Sequence, residues 1–461
     1  MTLGVLGLGR STFDVGFAEE KLAAMLAALD RSGLEFAGPR HLLLDDNAAE
    51  SALRELRDSS LEGLLLLQTT FTDASIAARA ASEFDCPLMI WAVPEPRTGG
   101  RLRLNSFCGL NLASHALGLR GREFGWIYVD PLGGDADREL AELLAGNRLS
   151  GAIQPRSPAR ASSRPCPAAE ALRSKRIVRL GQPPPGFDTC AYDSSQLTEV
   201  FGMAVDELGI DRLFEAAGNS RRDDVDSLLA DAKETLRGFD HLDLEAATRS
   251  MELGAGLEGI RAEGAYDAIA VRCWPETFTE YGGAVCGPAG TLCESGIPCA
   301  CEADVYGSVS QLVLQEVSRS PVFLADLVDL DPVSDTGVLW HCGQAPESMR
   351  DPDIPPEAAV HSNRKLPLLR EFPLRPGRIT LLRVSRAFGE LKIATAGGEM
   401  LKRPKAFSGT SGVFRFDMPA SEALHRIIGC GLEHHLAVAY GDFRAELRAL
   451  AAHFGLPCLE F

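Results

Sequence analysis

Over the first 130 positions short apolar runs alternate with amphipathic stretches. The runs Leu3–Leu8, His41–Leu44, Gly63–Gln68, Leu88–Ala92 and Gly125–Val129 read as strands, because they are too brief for buried helices and are bounded by turn residues. Between them, Ala18–Asp30, Ala48–Asp58 and Asp73–Glu83 carry apolar residues at helical spacing. This alternation predicts a parallel, doubly wound sheet. From Gln154 to Asp188 the chain turns to QPRSPARASSRPCP and GQPPPGFD, where proline and serine interrupt regular structure.

Helical periodicity returns over Leu197–Glu207, Asp223–Leu236 and Leu242–Glu263, followed by an apolar strand at Ala265–Cys273, so a second α/β layer is expected. After about Leu330 the pattern changes to short alternating strands with Gly and Pro turns, at Gly337–Trp340, Ile379–Ser385, Glu390–Thr395 and Val413–Asp417. A last helix is expected over Gly441–Phe454. The fold class is therefore α/β: two doubly wound parallel-sheet domains followed by a C-terminal mainly antiparallel β domain. The division is 1–153 for the first domain, 154–188 for a linker and boundary, 189–330 for the second domain and 331–461 for the β-rich region.

One stretch organises the rest. In Gly296–Gly307, GIPCACEADVYG, an apolar strand runs into a helix that begins near Val305 and carries Val309, Leu312, Val313 and Val317. Glu302 and Asp304 fall at the strand-to-helix turn, where side chains of an open α/β sheet face a crevice instead of a core. Three more places put charge or imidazole among apolar neighbours: Asp326 in PVFLADLVDL, His341 after GVLW, and His434-His435 before LAVAY. Taken singly, each suits a cap, a turn or a satisfied strand end. Buried together they would need compensation, and a divalent metal supplies it. Two carboxylates with one or two imidazoles suit Mn²⁺ or a related divalent transition metal. Adjacent residues of a strand point to opposite faces, so only one of His434 and His435 is expected at a common site.

Composition narrows the partners. The 461-residue chain has a net charge of -18, which opposes binding to nucleic acid or an anionic membrane surface. No apolar run approaches the roughly 20 residues of a membrane span, and the start, MTLGVLGLGRSTFD, reads as a first strand and not as a signal peptide, so a cytoplasmic protein is expected. Cys286, Cys293, Cys299 and Cys301 crowd together, but no C-x-x-C pair occurs, and small buried thiols explain them better than zinc. The Gly7-Leu8-Gly9 turn lacks the third glycine of a dinucleotide fingerprint, since position 12 is Thr12. The polar loops Arg10–Asp14 and Arg97–Asn105 are placed either to reach a ligand or to serve as a capped helix start with solvated arginines.

CEADVYG, followed by PVFLAD and later HHLAVAYGDFRAEL, resembles the L-fucose isomerase and L-arabinose isomerase family, from about Ala270 to Cys342 and again from Cys430 to the end. The resemblance implies a metal-dependent aldose–ketose isomerase that moves a proton between C1 and C2 of an open-chain sugar through an enediol. It implies Mn²⁺ held by Glu302, Asp326 and His435, with His341 a looser match, and proton exchange by Glu302 and Asp326. Trp274 and Trp340 are then expected to wall the sugar, and Arg10 to bind distal hydroxyls or an anionic substituent. A homo-oligomer is also implied, a hexamer among the family's forms. Two alternatives accompany this reading: isomerisation or epimerisation of an acidic or sulfonated sugar, which Arg10, Arg101 and Arg103 would favour if they face the cleft, and a non-catalytic sugar-binding protein of the same fold.

Overall fold

The computed structural model describes residues 2–148 and 166–461. Three sheets carry the chain. The first is all parallel, in the order Glu35–Ala37, Thr2–Leu8, Gly63–Gln68, Leu88–Ala92, Gly125–Tyr128, with Leu42–Leu43 also paired to Thr2–Leu8. Its central strands Gly63–Gln68 and Leu88–Ala92 are buried on both faces, as their continuous apolar character requires. The second sheet is also parallel, in the order Cys299–Ala300, Ala268–Val271, Arg176–Leu180, Ala204–Leu208. The third has nine strands and is mostly antiparallel. Pairing of Lys392–Met400 with Thr410–Phe416 brings that sheet round on itself, so six of its strands form a closed ring with fewer open edges. The expected fold class of two parallel sheets and a mainly antiparallel β region is the architecture observed.

Four differences from the sequence expectations have physical causes. The helix expected over Leu197–Glu207 stops at Phe201, because Gly202 adopts φ 70° and ends it, and Ala204–Leu208 becomes an edge strand. Ser106–Leu119 is a helix that the periodicity did not announce: it is buried all round between the first sheet, the strand Phe323–Asp331 and the helix Ala420–Gly429, so it has no amphipathic stripe to read. Of the expected linker, residues 154–165 lie outside the described residues. Its remainder holds a helix at Pro167–Leu172 and the strand Arg176–Leu180, where prolines on either side leave a short apolar run intact. Finally, Phe323–Asp331, expected to close the second unit, pairs with Thr336–His341 and His435–Tyr440 and is a central strand of the third sheet. The helix Val305–Ser318 therefore carries the chain from the second sheet into the third. No helix among the described residues is long and apolar enough to cross a membrane.

Candidate active site at the junction of three sheets

The turn between Cys299–Ala300 and Val305–Ser318 is tight, and two consecutive non-glycine residues in it are left-handed, Glu302 at φ 57° and Ala303 at φ 55°. Such conformations are sparsely populated and persist where the surroundings hold them. Here the Ala303 N–H is held by Val271 O at 3.0 Å and the Asp304 N–H by Cys301 O at 3.0 Å. Asp304 caps the following helix, its Oδ1 accepting from Gly307 N at 2.8 Å. A side chain at position 307 would bring a Cβ within 2.6 Å of Asp304 Oδ2, so glycine there keeps that oxygen available.

That oxygen accepts from Arg383 Nη1 at 2.6 Å and from His435 Nδ1 at 2.8 Å, while Arg383 Nη2 reaches Oδ1 at 3.1 Å. Asp304 and Arg383 are both fully buried. Burial favours the neutral acid, yet the Arg383 and His435 charges outweigh it and hold Asp304 well below the usual carboxylate range. Asp304 Oδ2 accepts from His435 Nδ1, so when the ring is neutral its other nitrogen offers a lone pair. His435 Nε2 lies 3.3 Å from Asp326 Oδ1, 3.6 Å from Glu302 Oε2 and 3.6 Å from Cys301 Sγ. Asp326 reaches this point because it pairs directly with His435 across the antiparallel ladder, and with Trp340 on its other side.

The electrostatics of this cluster are unbalanced in one direction. Burial, partly offset by His435 and reinforced by Glu302 and Asp304, pushes Asp326 up to about 7. Its Oδ1 is buried and has no hydrogen-bond partner. Burial also pushes Glu302 upward, but the hydrogen bond from His434 and the charges of both histidines more than offset it, leaving Glu302 at about 2. Glu302 Oε1 accepts from Trp274 Nε1 at 3.0 Å and Oε2 meets His434 Nε2 at 3.0 Å. Burial lowers His435, but the bond to Asp304 and the three carboxylates hold it above its ordinary value. Glu302 and Asp326 are thus two buried carboxylates within 3.6 Å of His435 Nε2, and a positive charge between them would be stabilised. A divalent cation fits the donor set, with Asp304 behind His435 in the carboxylate–histidine arrangement common to metal sites.

The cleft above this point encloses about 760 Å³ including its mouth, within the range of small-molecule sites. The first sheet contributes Arg10, Phe71 and Asn105 from the loops that follow its strands, the second Trp274 and Glu302, and the third Asp326, Trp340 and His341. Each residue expected at the site is therefore in it or directly beneath it: Glu302, Asp326, His341, Arg10, Trp274 and Trp340 line the cleft, and His435 lies under Glu302 and Asp326. His341 faces the cluster differently from His435. Its Nδ1 accepts from Cys342 N at 2.8 Å, which leaves the ring proton on Nε2, 2.9 Å from Cys301 Sγ. Burial lowers His341 to about 3, so it is a neutral donor to that thiol.

Other expectations need correction. His434 and His435 both reach Glu302, their rings 3.9 Å apart, because the strand begins at His435 and His434 lies in the preceding turn, where alternation does not apply. Arg101 and Arg103 do not line the cleft. Arg101 is spent on Thr12 O and Asn363 Oδ1, and Arg103 on Asp14. Arg10 lines it but is paired with Asp73 at 2.5 Å. Of the crowded cysteines, Cys293 and Cys299 are core residues, while Cys301 belongs to the histidine cluster and Cys286 to the cleft wall.

Residues 4–149 match the sequence profile of the fucose/sulfoquinovose isomerase N-terminal domain. The whole chain aligns with sulfoquinovose isomerases: 27% identity with that of Alkalicoccus urumqiensis, covering 100% of this chain and 99% of that one, and 28% with that of Clostridium sp. (strain MSTE9), covering 97% and 96%. The protein of Priestia aryabhattai is 27% identical over 97% of this chain and 96% of its own. The resemblance to the fucose isomerase-like family is thus carried by the N-terminal domain profile and by relatives aligned along the whole chain. The chain is an isomerase, and among the described residues two groups could hold a metal ion: Cys190, Glu302, His434 and His435, and Cys301, His341 and His435. A solved galactofuranose-binding protein aligns with 68% of this chain and 88% of its own at 8% identity, with a TM-score of 0.17, too distant to bear on the fold.

Proposed function

We propose that the cleft interconverts an open-chain sulfonated aldose and its 2-ketose, with Mn²⁺ or a related divalent ion held by Glu302, Asp326 and His435, in a homo-oligomer. The observation that carries this reading is that Glu302 Oε2 and Asp326 Oδ1 lie 3.6 and 3.3 Å from the same nitrogen, His435 Nε2, and that Asp326 Oδ1 is buried without a hydrogen-bond partner among the described residues. When bound, the ion supplies Lewis acidity that polarises the sugar carbonyl and holds two vicinal oxygens. The similarity to sulfoquinovose isomerases supports a sulfonated substrate.

The proton chemistry rests on two carboxylates whose surroundings set them apart, which is the arrangement that assigns acid and base roles. Glu302, held ionised by Trp274 Nε1 and His434, is the base that takes the proton from C2. Asp326, left ionised when it holds the ion, carries the proton of the C2 hydroxyl to the carbonyl oxygen at C1. The intermediate so formed collapses as Glu302 returns its proton to C1, so that one hydrogen has crossed from C2 to C1 and one from O2 to O1. Trp274 and Trp340 wall the sugar and exclude water, and both indoles are fixed through Nε1, to Glu302 and to Ser408 O respectively.

Turnover in D₂O tests this. With Mn²⁺-loaded protein, a 6-sulfonated aldohexose should yield its 2-ketose with deuterium at C1 or C2, since the transferred hydrogen passes through a carboxylic acid that exchanges with solvent. Conversion without label would remove Glu302 and Asp326 from proton transfer. Binding without conversion would leave the non-catalytic alternative.

A further inference from the structure

The arginines that the sequence offers for an anionic substrate are already committed to Asp73, Asn363 and Asp14. One cation of the cleft is not. Arg364 lines it half-buried, and its guanidinium makes no hydrogen bond or ion pair among the described residues. It lies over the Trp274 ring, 4.3 Å from the centroid, and 5.5 Å from that of Phe278. Stacking on aromatic faces holds a guanidinium in place but leaves its N–H donors at the ring edge unspent. The same indole donates through Nε1 to Glu302, so Arg364 and the catalytic carboxylate occupy the face and the edge of one ring.

The segment carrying Arg364 is built to present it. His361 is buried, and its Nδ1 accepts from the backbone of Asn363 at 3.2 Å and of Arg364 at 3.3 Å, closing the turn Ser362–Arg364. The turn is also pinned by His361 N to Leu366 O and Lys365 N to His361 O, and the His361 ring stands edge-on to Phe278. Beside Arg364, Asn363 lines the cleft with its orientation fixed, because Arg101 Nε can only donate and so must meet the amide oxygen. The amide NH₂ of Asn363 is left as a second unspent donor. In a chain of net charge -18, an anionic ligand needs such a local cation to approach.

We propose that Arg364 and Asn363 form the subsite for the sulfonate of the substrate, with His361 as the positioning residue of the turn. The proposal rests on the isomerase reading of the cleft. A sulfonate offers three equivalent acceptors and a charge at every working pH, which matches a guanidinium edge and an amide NH₂, whereas a neutral hydroxymethyl group would leave the guanidinium unpaired.

The test compares wild type with Arg364→Met, Arg364→Lys and His361→Ala, all Mn²⁺-loaded, on a 6-sulfonated aldohexose and its neutral 6-hydroxy counterpart. Arg364→Met keeps an apolar stem on Trp274 and should lower kcat/KM for the sulfonated sugar about 10²-fold, expressed in KM because the sulfonate is the same in ground and transition states. The neutral sugar should lose at least about tenfold less than the sulfonated one, Arg364→Lys should recover part of the loss, and His361→Ala should raise KM more for the sulfonated sugar than for the neutral one. Equal loss on both sugars, or lost Mn²⁺ binding in Arg364→Met, would make Arg364 structural and overturn the proposal; no loss on the sulfonated sugar would place the anion elsewhere. Should wild type turn over neither sugar, the isomerase reading fails, and calorimetric titration with the sulfonated sugar decides the subsite. Binding by wild type that is lost in Arg364→Met supports it, and binding retained in the variant, or absent in wild type, refutes it.

Discussion

Replacing Asp304 by Asn isolates the charge beneath His435 from everything else that residue does. Asn is as good an N-cap as Asp, so the bond from Gly307 N should persist and the helix start should be unaffected. What is lost is the anion shared by Arg383 and the His435 Nδ1 proton. Arg383 is fully buried, and apart from Asp304 its guanidinium has, among the described residues, only Thr189 O at 3.0 Å and Glu433 Oε2 at 3.8 Å. Breaking a buried pair by removing one partner costs about 3–5 kcal/mol, and the remaining Glu433 places the expectation near 3 kcal/mol. His435 also loses the acceptor that fixes its tautomer, so Mn²⁺ affinity should fall about 10- to 100-fold.

Arg383→Met alone strands Asp304, while the double variant removes both charges. Its destabilisation should therefore be smaller than the sum of the singles by about 2 kcal/mol or more. Denaturant unfolding of the four proteins and calorimetric Mn²⁺ titration measure both quantities. An Asp304→Asn protein within about 1 kcal/mol of wild type, with additive singles and unchanged Mn²⁺ affinity, would refute the assignment of Asp304 as the charge that orients His435.

Two further outcomes follow from the same geometry. Glu302→Gln and Asp326→Asn should each lower kcat about 10²–10⁴-fold with circular dichroism unchanged, since each removes a proton acceptor at nearly constant shape; near-normal turnover by either with metal bound would make that residue structural. Binding of Mn²⁺, expected at one per chain, should weaken as pH falls: burial holds Asp326 at about 7 and His435 is held above its ordinary value, so below pH 7 the ion must displace a proton from Asp326 and then from His435. Apparent affinity should drop about tenfold per pH unit for each proton displaced, with proton release seen in calorimetry across buffers; Asp326→Asn should flatten the upper part of this dependence, and a pH-independent affinity between 5 and 8 would contradict it.

The alternation of apolar runs was enough to place the first sheet, because strands buried on both faces are continuous in sequence: Gly63–Gln68 and Leu88–Ala92 were read to the residue. Where burial is complete on a helix the signal disappears, as at Ser106–Leu119. Sheet membership was not legible at all for Phe323–Asp331, since an apolar strand says nothing of its neighbours, and its partners Thr336–His341 and His435–Tyr440 are set by long-range pairing.

The candidate site divided along a similar line. Asp326 and the His434-His435 pair stood out because a polar residue inside an apolar run needs a reason, Glu302 stood out by its strand-to-helix turn, and the choice of His435 came from the family resemblance; the fold brings Glu302 and Asp326 within 3.6 Å of His435 Nε2. Arg364 and Asn363 gave no such signal: in VHSNRKLP a polar side chain is unremarkable, and only the turn closed by His361 Nδ1 brings the pair to the cleft wall. Conversely, Arg101 and Arg103 looked like anion-binding residues by charge alone, and the folded chain spends them on Thr12, Asn363 and Asp14. A charge in the sequence is therefore weak evidence of a binding role, because what counts is whether the fold has already neutralised it. By that criterion Arg10 is fixed in place by Asp73, whereas Arg364 is the cleft arginine whose pairing is left to a ligand.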